Sequence, residues 1–191
     1  MTEPTSPDLV SASQLERIMR HPTLSQSTTQ RLVMRYHGAI NLTLHRYDIT
    51  TAPRIAAFLA QIGHESGRLR YAAEIWGPTA AQRRYEGRQD LGNIHPGDGK
   101  RYMGRGLIQI TGRSNYEDVS AAIGVDFLGS PHLLETTLYA ALSAGWYWDS
   151  HLLNALADVG DFNRITRVIN GGTNGLKDRI AMLETALQVI A

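Results

Sequence analysis

Apolar residues recur at intervals of three and four along most of the chain, which is the spacing of helices with one buried face. Pro, Gly and capping residues divide the pattern into segments. The predicted helices run from about 13 to 21, about 28 to the low 40s, 53–67, 107–123, 131–149, 161–169 and 176–190. The first begins with a capping-box pattern from Ser13 to Glu16 and ends before Pro22. The sequence therefore predicts a mainly α-helical fold.

Two of these helices carry stripes that indicate packing. The third has a stripe of small residues, which predicts the close approach of another helix: Ala56, Ala60, Gly63 and Gly67. The last has a predicted core stripe of larger residues: Leu176, Ile180, Leu183, Leu187 and Ile190.

Residues 68–106 interrupt the helical period, because Gly, Pro, Asn and Asp accumulate there. A loop of this length inside a compact domain usually carries function. We therefore expect a single domain over residues 1–191, in which this loop-rich lobe forms one wall of a substrate cleft. We expect residues 1–12 to be a flexible N-terminus, and no segment is typical of a separate wall-binding module.

Composition excludes several classes of function. Cysteine is absent, so a disulfide framework or a thiol nucleophile is unavailable. The first ten residues lack the basic start and apolar run of a secretory signal, and no segment is apolar over the thickness of a bilayer. The net charge of +1 gives no reason to expect a nucleic-acid partner. We expect synthesis in a reducing cytoplasm without a signal peptide, and no membrane insertion.

The charge is unevenly distributed along the chain. Between Ser66 and Arg113 there are eight Arg and one Lys against two Glu and two Asp. Such a positive segment is able to attract an anionic polymer. An equally good interpretation is that many of these Arg residues form internal ion pairs.

Glu65 is the most informative candidate for chemistry. Apolar residues at 55, 58, 59 and 62 form the buried stripe of the third helix, and position 65 continues it. Gly67 is a natural helix stop, so Glu65 lies in the last turn. Burial and the carbonyl end of the helix both penalise the ionised carboxylate, which favours a general acid. A surface Glu at a frayed helix end is the alternative.

Other mechanisms fit the residues less well. His64 and Glu65 resemble half of a zinc motif, but position 68 is Arg, so the second ligand is missing. The glycines around 97–106 match no phosphate-binding fingerprint, and no serine lies in a nucleophile elbow. Glycoside hydrolysis by two carboxyl groups remains, with Glu65 as the acid. Glu74 is the favoured base, and Glu86, flanked by Arg residues, is the alternative.

Several ordered blocks resemble glycoside hydrolase family 19, the chitinase-like family of the lysozyme superfamily. They cover residues from about 52 to 185: 58–67, 102–111, 115–116, 169–172 and 178–180. Segments 74–78 and 85–88 are more similar to the bacteriophage endolysin branch than to plant chitinases. The resemblance implies a lysozyme-like, mainly helical domain.

The resemblance also implies roles for individual residues. Glu65 corresponds to the general acid, Glu74 to the base, and Thr111 to the residue that helps to hold the attacking water. The implied substrate-binding or site-supporting positions are Gln109, Asn115, Asn170 and Arg179, and Trp76 and Tyr102 are candidate sugar platforms. From the residues alone, Gln109 and Thr111 could instead brace a helix near 107, and Arg179 could pair with Asp178. No cofactor or metal ligand is implied, and inversion of anomeric configuration is expected.

We therefore expect an endolysin that hydrolyses β-1,4 bonds in peptidoglycan glycan strands, acts as a monomer, and reaches the cell wall after holin-dependent release from the host cytoplasm. The alternatives are a chitinase that acts on chitin oligomers and a glycan-binding wall protein without catalytic activity.

Overall fold

The computed structural model describes residues 7–190, and it confirms the mainly helical fold. The ten α-helices of this range are α1 (Ala12–Met19), α2 (Gln26–Arg46), α3 (Ala52–Glu65), α4 (Ala80–Arg83), α5 (Asp98–Arg101), α6 (Arg113–Ile123), α7 (Thr137–Ser150), α8 (Leu153–Asp158), α9 (Phe162–Asn170) and α10 (Leu176–Ile190). Two 3₁₀ turns span Gln89–Leu91 and Pro131–Glu135. Among the residues described, no helix combines the length and apolarity required to cross a bilayer.

The capping box of α1 lies two residues earlier than predicted. The backbone N–H of Gln14 donates to Ser11 Oγ at 3.2 Å, and the N–H of Ser11 donates to Gln14 Oε1 at 2.8 Å. This reciprocal pair fixes the helix start at Ser11 and not at Ser13.

Part of the predicted flexible N-terminus is in fact ordered. The backbone N–H groups of Leu9 and Val10 donate to Asn41 Oδ1 at 2.8 and 3.1 Å, and Val10 is completely buried. These contacts hold residues 9 and 10 on α2, which corrects the prediction for this part of residues 1–12. Residues 1–6 lie outside the described range.

Helices α3 and α10 form the centre of the core. The small stripe on α3 permits this contact as predicted, because a Cβ on Gly63 would lie 2.2 Å from Met182 Cε. The predicted stripe of α10 is confirmed only in part. Ile180, Leu183 and Ile190 are partly buried and pack against the core, whereas Leu187 is 39% exposed. The fully buried positions of α10 are Arg179, Met182, Ala186 and Val189. Periodicity could not reveal this, because a charged side chain occupies a core position.

The predicted helix over 107–123 is also corrected, since only Arg113–Ile123 is helical. Positive φ angles at Gly106 (85°) and Gln109 (60°) prevent a helix before this point. The chain forms a short extended arrangement instead, in which Arg105 bridges to both Ala73 and Ile110. This arrangement brings the start and the end of the loop-rich lobe together.

Two further boundaries differ from the sequence pattern. The segment predicted as one helix over 131–149 consists of the 3₁₀ turn Pro131–Glu135 followed by α7, and α8 was not predicted. Leu152 separates α7 from α8 by adopting a left-handed conformation, with φ of 54°. A single residue of this kind leaves little trace in the hydrophobic pattern.

Candidate active site

Glu65 ends α3, and its side chain is 19% exposed. Its Oε1 accepts a hydrogen bond from Nη2 of Arg179, a side chain that is only 1% exposed. Nη1 of Arg179 donates to Oε1 of Gln61, and Gln61 Nε2 donates to Thr166 Oγ1 at 2.9 Å. Gln61 and Thr166 are completely buried. The guanidinium and its amide neighbour therefore fix Glu65 from inside the core.

This arrangement adds a partner to the setting expected for Glu65. The sequence pattern predicted a desolvated carboxyl in the last helical turn and did not predict its partner. The side chain is largely buried and lies in the last turn as expected, and a buried guanidinium touches it.

A second pair of contacts lies beside the first. His64 Nδ1 lies 2.6 Å from Asp178 Oδ2, and Arg68 Nη2 donates to Asp178 Oδ1 at 2.6 Å. Hydrogen bonding from Arg68, followed by that from His64, outweighs partial burial and lowers the pKa of Asp178 to about 2. Asp178 and Arg179 therefore do not pair with each other, which was the alternative role of Arg179. Instead His64 on α3 contacts Asp178 on α10, and Glu65 on α3 contacts Arg179 on α10.

Glu74 lies in the non-helical segment that follows α3, nine residues after Glu65. Its backbone N–H donates to the carbonyl of Gly104 at 2.8 Å, and the N–H of Gly104 lies 3.3 Å from Glu74 Oε2. Gln82 Nε2 and the hydroxyl of Tyr85 donate to Glu74 Oε1 at 2.9 and 3.4 Å. Burial, and then the negative charge of Glu74, raise the pKa of Tyr85, so this hydroxyl remains a donor. Glu74 thus lies among amide, hydroxyl and backbone donors.

Gln109 and Thr111 face the same position as Glu74. A Cβ built on Gly104 would lie 2.9 Å from Gln109 Oε1 and 3.2 Å from Thr111 Oγ1. Gln109 and Thr111 therefore pack closely against Gly104 and leave no room for a side chain there. Asn115 supports this arrangement from α6, because its Nδ2 donates to the carbonyl of Thr111 at 2.7 Å.

The local fold explains why these groups converge. Thr111 Oγ1 donates to the carbonyl of Gln109 at 2.9 Å, and Gln109 Nε2 donates to the carbonyl of Gly106 at 3.0 Å. Both side chains therefore brace a turn and not the helix near 107 considered as their alternative role. The structure brings Glu74, Gln109, Thr111 and Asn115 into one site.

Glu86, the alternative base, has a different environment. Its carboxylate accepts hydrogen bonds from the backbone N–H groups of Gly97 and Gly99 at 2.6 and 2.9 Å. It therefore closes the loop between residues 86 and 99. Arg88, expected as a partner of Glu86, pairs with Asp90 instead.

The two candidate sugar platforms differ in exposure. Tyr102 is only 2% exposed and packs between Tyr116, with ring centroids 5.1 Å apart, and the guanidinium of Arg113. It is a core residue, which corrects its prediction as a substrate-binding group. Trp76 is partly exposed, with its ring centroid 6.3 Å from that of Tyr85, and it can present a face to a sugar.

Asn170 ends α9, where Gly171 adopts the left-handed conformation that terminates a helix. Its Nδ2 is buried and has no hydrogen-bond partner in the described residues. A buried donor without a partner is costly, so Asn170 is suited to a ligand acceptor.

Three residues near the carboxyl groups were not predicted. Gln61 and Gln82 are buried amides, and each contacts one carboxylate or its guanidinium. Tyr147 lies on α7, and its pKa is raised by burial and then by the charge of Glu65. Its hydroxyl donates to the carbonyl of Val168 at 3.0 Å. Gln61 could have been noticed as a polar residue within the apolar stripe of α3, but nothing in the sequence distinguishes the other two.

A helical domain with one carboxyl held by a buried guanidinium, and another among amide and hydroxyl groups, is suited to acid/base hydrolysis of a glycosidic bond. Comparison with known proteins agrees with this class. The family described as chitinase class I, glycoside hydrolase family 19, matches residues 42–159. The chain belongs to glycoside hydrolase family 19 and is a glycosidase of the chitinase-like type.

Individual relatives give the same result. A glycosyl hydrolase family 19 domain-containing protein of Haemophilus influenzae is 31% identical over 171 residues, which covers 75% of this chain and 83% of the relative. An endochitinase of Arabidopsis thaliana is 38% identical over 128 residues, but the chain spans only 42% of its length.

Solved structures share the fold. Chitinase C from Streptomyces griseus has a TM-score of 0.72 at 24% identity, and covers 99% of this chain and 79% of its own. A bacterial family 19 chitinase has a TM-score of 0.68 at 25% identity, with 96% and 95% covered.

Proposed function

We propose that this glycosidase hydrolyses β-1,4 bonds in the glycan strands of bacterial peptidoglycan and acts as a phage-type endolysin. The central observation is the contrast between its two carboxyl groups. Glu65 is bound by the buried guanidinium of Arg179, whereas Glu74 accepts hydrogen bonds from the amide of Gln82, the hydroxyl of Tyr85 and the backbone of Gly104. Two carboxyl groups in different environments are required for an acid and a base.

In the proposed reaction, Glu65 donates a proton to the oxygen of the departing sugar. Arg179 then stabilises the carboxylate that remains. Glu74 accepts a proton from a water molecule, which Thr111 and Gln109 hold. The water oxygen forms a bond to the anomeric carbon as the glycosidic bond breaks, so the configuration inverts.

The charge of the lobe supports peptidoglycan over chitin, because peptide stems give peptidoglycan carboxylates, whereas chitin is uncharged. Of the eight Arg residues between Ser66 and Arg113, four form ion pairs: Arg68, Arg88, Arg105 and Arg113. Four have no ion-pair partner among the described residues: Arg70, Arg83, Arg84 and Arg101. Half of these Arg residues thus form internal ion pairs, and the other half are available to attract an anionic polymer.

The second candidate is a chitinase, because plant and bacterial relatives carry that name. For the endolysin, we propose synthesis in the host cytoplasm, action as a monomer, and release to the wall at lysis.

The test compares wild type with Glu65→Gln on two substrates, purified peptidoglycan and chitin oligomers. Mass spectrometry of the products identifies the new reducing ends and thus the bond cut. We expect wild type to cleave peptidoglycan faster, and Glu65→Gln to lose activity while remaining folded at the assay temperature. Cleavage of chitin alone would establish the chitinase instead, and equal activity of the variant would remove Glu65 from the mechanism.

A further inference from the structure

A large concave surface reaches the C-terminal end of α3, the helix that carries Glu65. A cavity of about 600 Å³ lies at the junction of α1 and α2, and a second of about 200 Å³ extends to His64 and Gly67. His21 and Leu24 line both, so the two cavities form one groove, which we call the α1–α2 groove. Its inner end is lined by His64 and Gly67, which lie on either side of Glu65 in the sequence.

The outer part of this groove lies outside the segment that the family model matches. Its lining comes from the segment between Ser13 and Thr29, whereas the family match covers residues 42–159. The match therefore assigns no role to it. A groove of this size that ends at the helical turn carrying Glu65 is a suitable binding site for part of a substrate.

The groove has an excess of cationic groups. Arg17, Arg20 and Arg70 line it, and all three are exposed. None forms an ion pair within residues 7–190, and Arg70 makes one intramolecular hydrogen bond there, from Nε to the carbonyl of Gly67 at 3.2 Å. Most of their N–H donors are therefore available to a ligand.

The acidic groups of the groove do not cancel this charge. Asp178 is bound by Arg68 and His64. Glu16 faces the groove from α1, and its carboxylate lies 3.4 Å from Gln30 Nε2. One unpaired carboxylate thus opposes three unpaired guanidinium groups. Pro22 and Leu24 add apolar surface between the charges. A ligand that suits this lining carries carboxylates separated by small apolar groups.

We propose that the α1–α2 groove binds the peptide stem that branches from a peptidoglycan strand, with the stem carboxylates on Arg17, Arg20 and Arg70. This inference rests on the proposed function. An extended peptide spans at most about 3.3–3.6 Å per residue, so a stem of three residues that leaves the glycan near Glu65 reaches roughly 10 Å along the groove. Chitin has no such branch, so the groove distinguishes the two polymers.

The experiment uses two wall substrates: glycan strands with their stems and the same strands after an amidase has removed the stems. The ratio of kcat/KM on the two is measured for wild type, for Arg20→Glu combined with Arg70→Glu, and for Arg31→Glu. Arg31 is exposed on α2 outside the groove, so its variant shows the effect of a charge reversal elsewhere on the surface. Melting temperatures show that each variant is folded.

We expect wild type to prefer stem-bearing strands. In the double variant the ratio of kcat/KM should fall about tenfold, because KM for stem-bearing strands rises. Arg31→Glu should leave the ratio unchanged. Added salt should reduce the wild-type preference, because the contacts are ionic. If wild type cleaves both wall substrates equally and the ratio is unchanged in the double variant, the groove does not bind stems but the proposed function stands. If wild type cleaves only chitin, the proposed function and this inference both fail.

Discussion

Replacement of Arg179 with Met should reduce both stability and activity. Met has a similar length but provides no donors and no charge. It would leave Glu65 without its guanidinium and the buried Oε1 of Gln61 without a donor. Because Arg179 is only 1% exposed, water cannot replace these contacts in the native fold.

Arg179 also donates from Nε to the carbonyl of Asn174 at 3.3 Å, but the magnitude follows mainly from its hydrogen bonds to Glu65 and Gln61. A hydrogen bond to a charged group contributes about 1.5–3 kcal/mol, so these two together contribute about 3–6 kcal/mol of unfolding free energy. In a domain of this size 1 kcal/mol shifts the melting temperature by about 2–4 °C, which gives a decrease of roughly 10 °C. Activity should fall about a hundredfold at temperatures where the variant is folded, because the acid loses its orientation.

Lys177→Met provides a matched control, since Lys177 is an exposed cation on the same helix. Thermal unfolding and the rate of glycan cleavage are measured for both variants. Lys177→Met should stay within about 0.5 kcal/mol of wild type. A double-mutant cycle with Glu65→Gln should give a coupling energy of about 1.5–3 kcal/mol. If Arg179→Met resembles the control, Arg179 does not hold Glu65.

Three further predictions concern single positions. Gly104→Ala should lose activity about a hundredfold, because the added methyl group would lie 2.9 Å from Gln109 Oε1 and displace that side chain, and a normal cleavage rate would show that Gln109 does not position the water. The pKa of Asp178 is lowered from 3.8 to about 2, so the stabilisation that its carboxylate gives is complete above pH 4 and is lost as the pH falls through 2. Discounted for the 38% exposure of the side chain, this stabilisation is about 1 kcal/mol. Asp178→Asn should remove the corresponding part of the slope of unfolding free energy against pH. Gly63→Ala should lower the melting temperature by several degrees, since its Cβ would lie 2.2 Å from Met182 Cε, and an unchanged value would contradict this packing of α3 on α10.

The helices were largely predictable because each buries one face, and α3 ends at Glu65 as the stop at Gly67 indicated. The segment 107–112 was not predictable in the same way. Its apolar residues fit a helical period, yet Gly106 and Gln109 adopt positive φ angles that no periodicity expresses. The dense glycines at 104, 106 and 112 were the available indication of a turn.

The position of Glu65 in the last turn of α3 was predictable from local residues, because the apolar stripe and Gly67 indicate it. The contacts of a side chain were less predictable where they depend on a distant part of the chain. The sequence allowed Arg179 to pair with Asp178, but Gln61 and Glu65 bind it instead. Tyr102 was a candidate sugar platform, but Tyr116 and Arg113 cover its ring.

The guanidinium of Arg179 reaches Glu65 across 114 positions of the chain. Both proposed catalytic carboxylates are translated long before α10, so a nascent polypeptide holds its acid and its base while the group that orients the acid is still missing. Contacts between such distant positions also form late in folding, because a long loop must close first. Catalytic competence is thereby tied to completion of the native topology, and shortened translation products that stop before α10 should be inert.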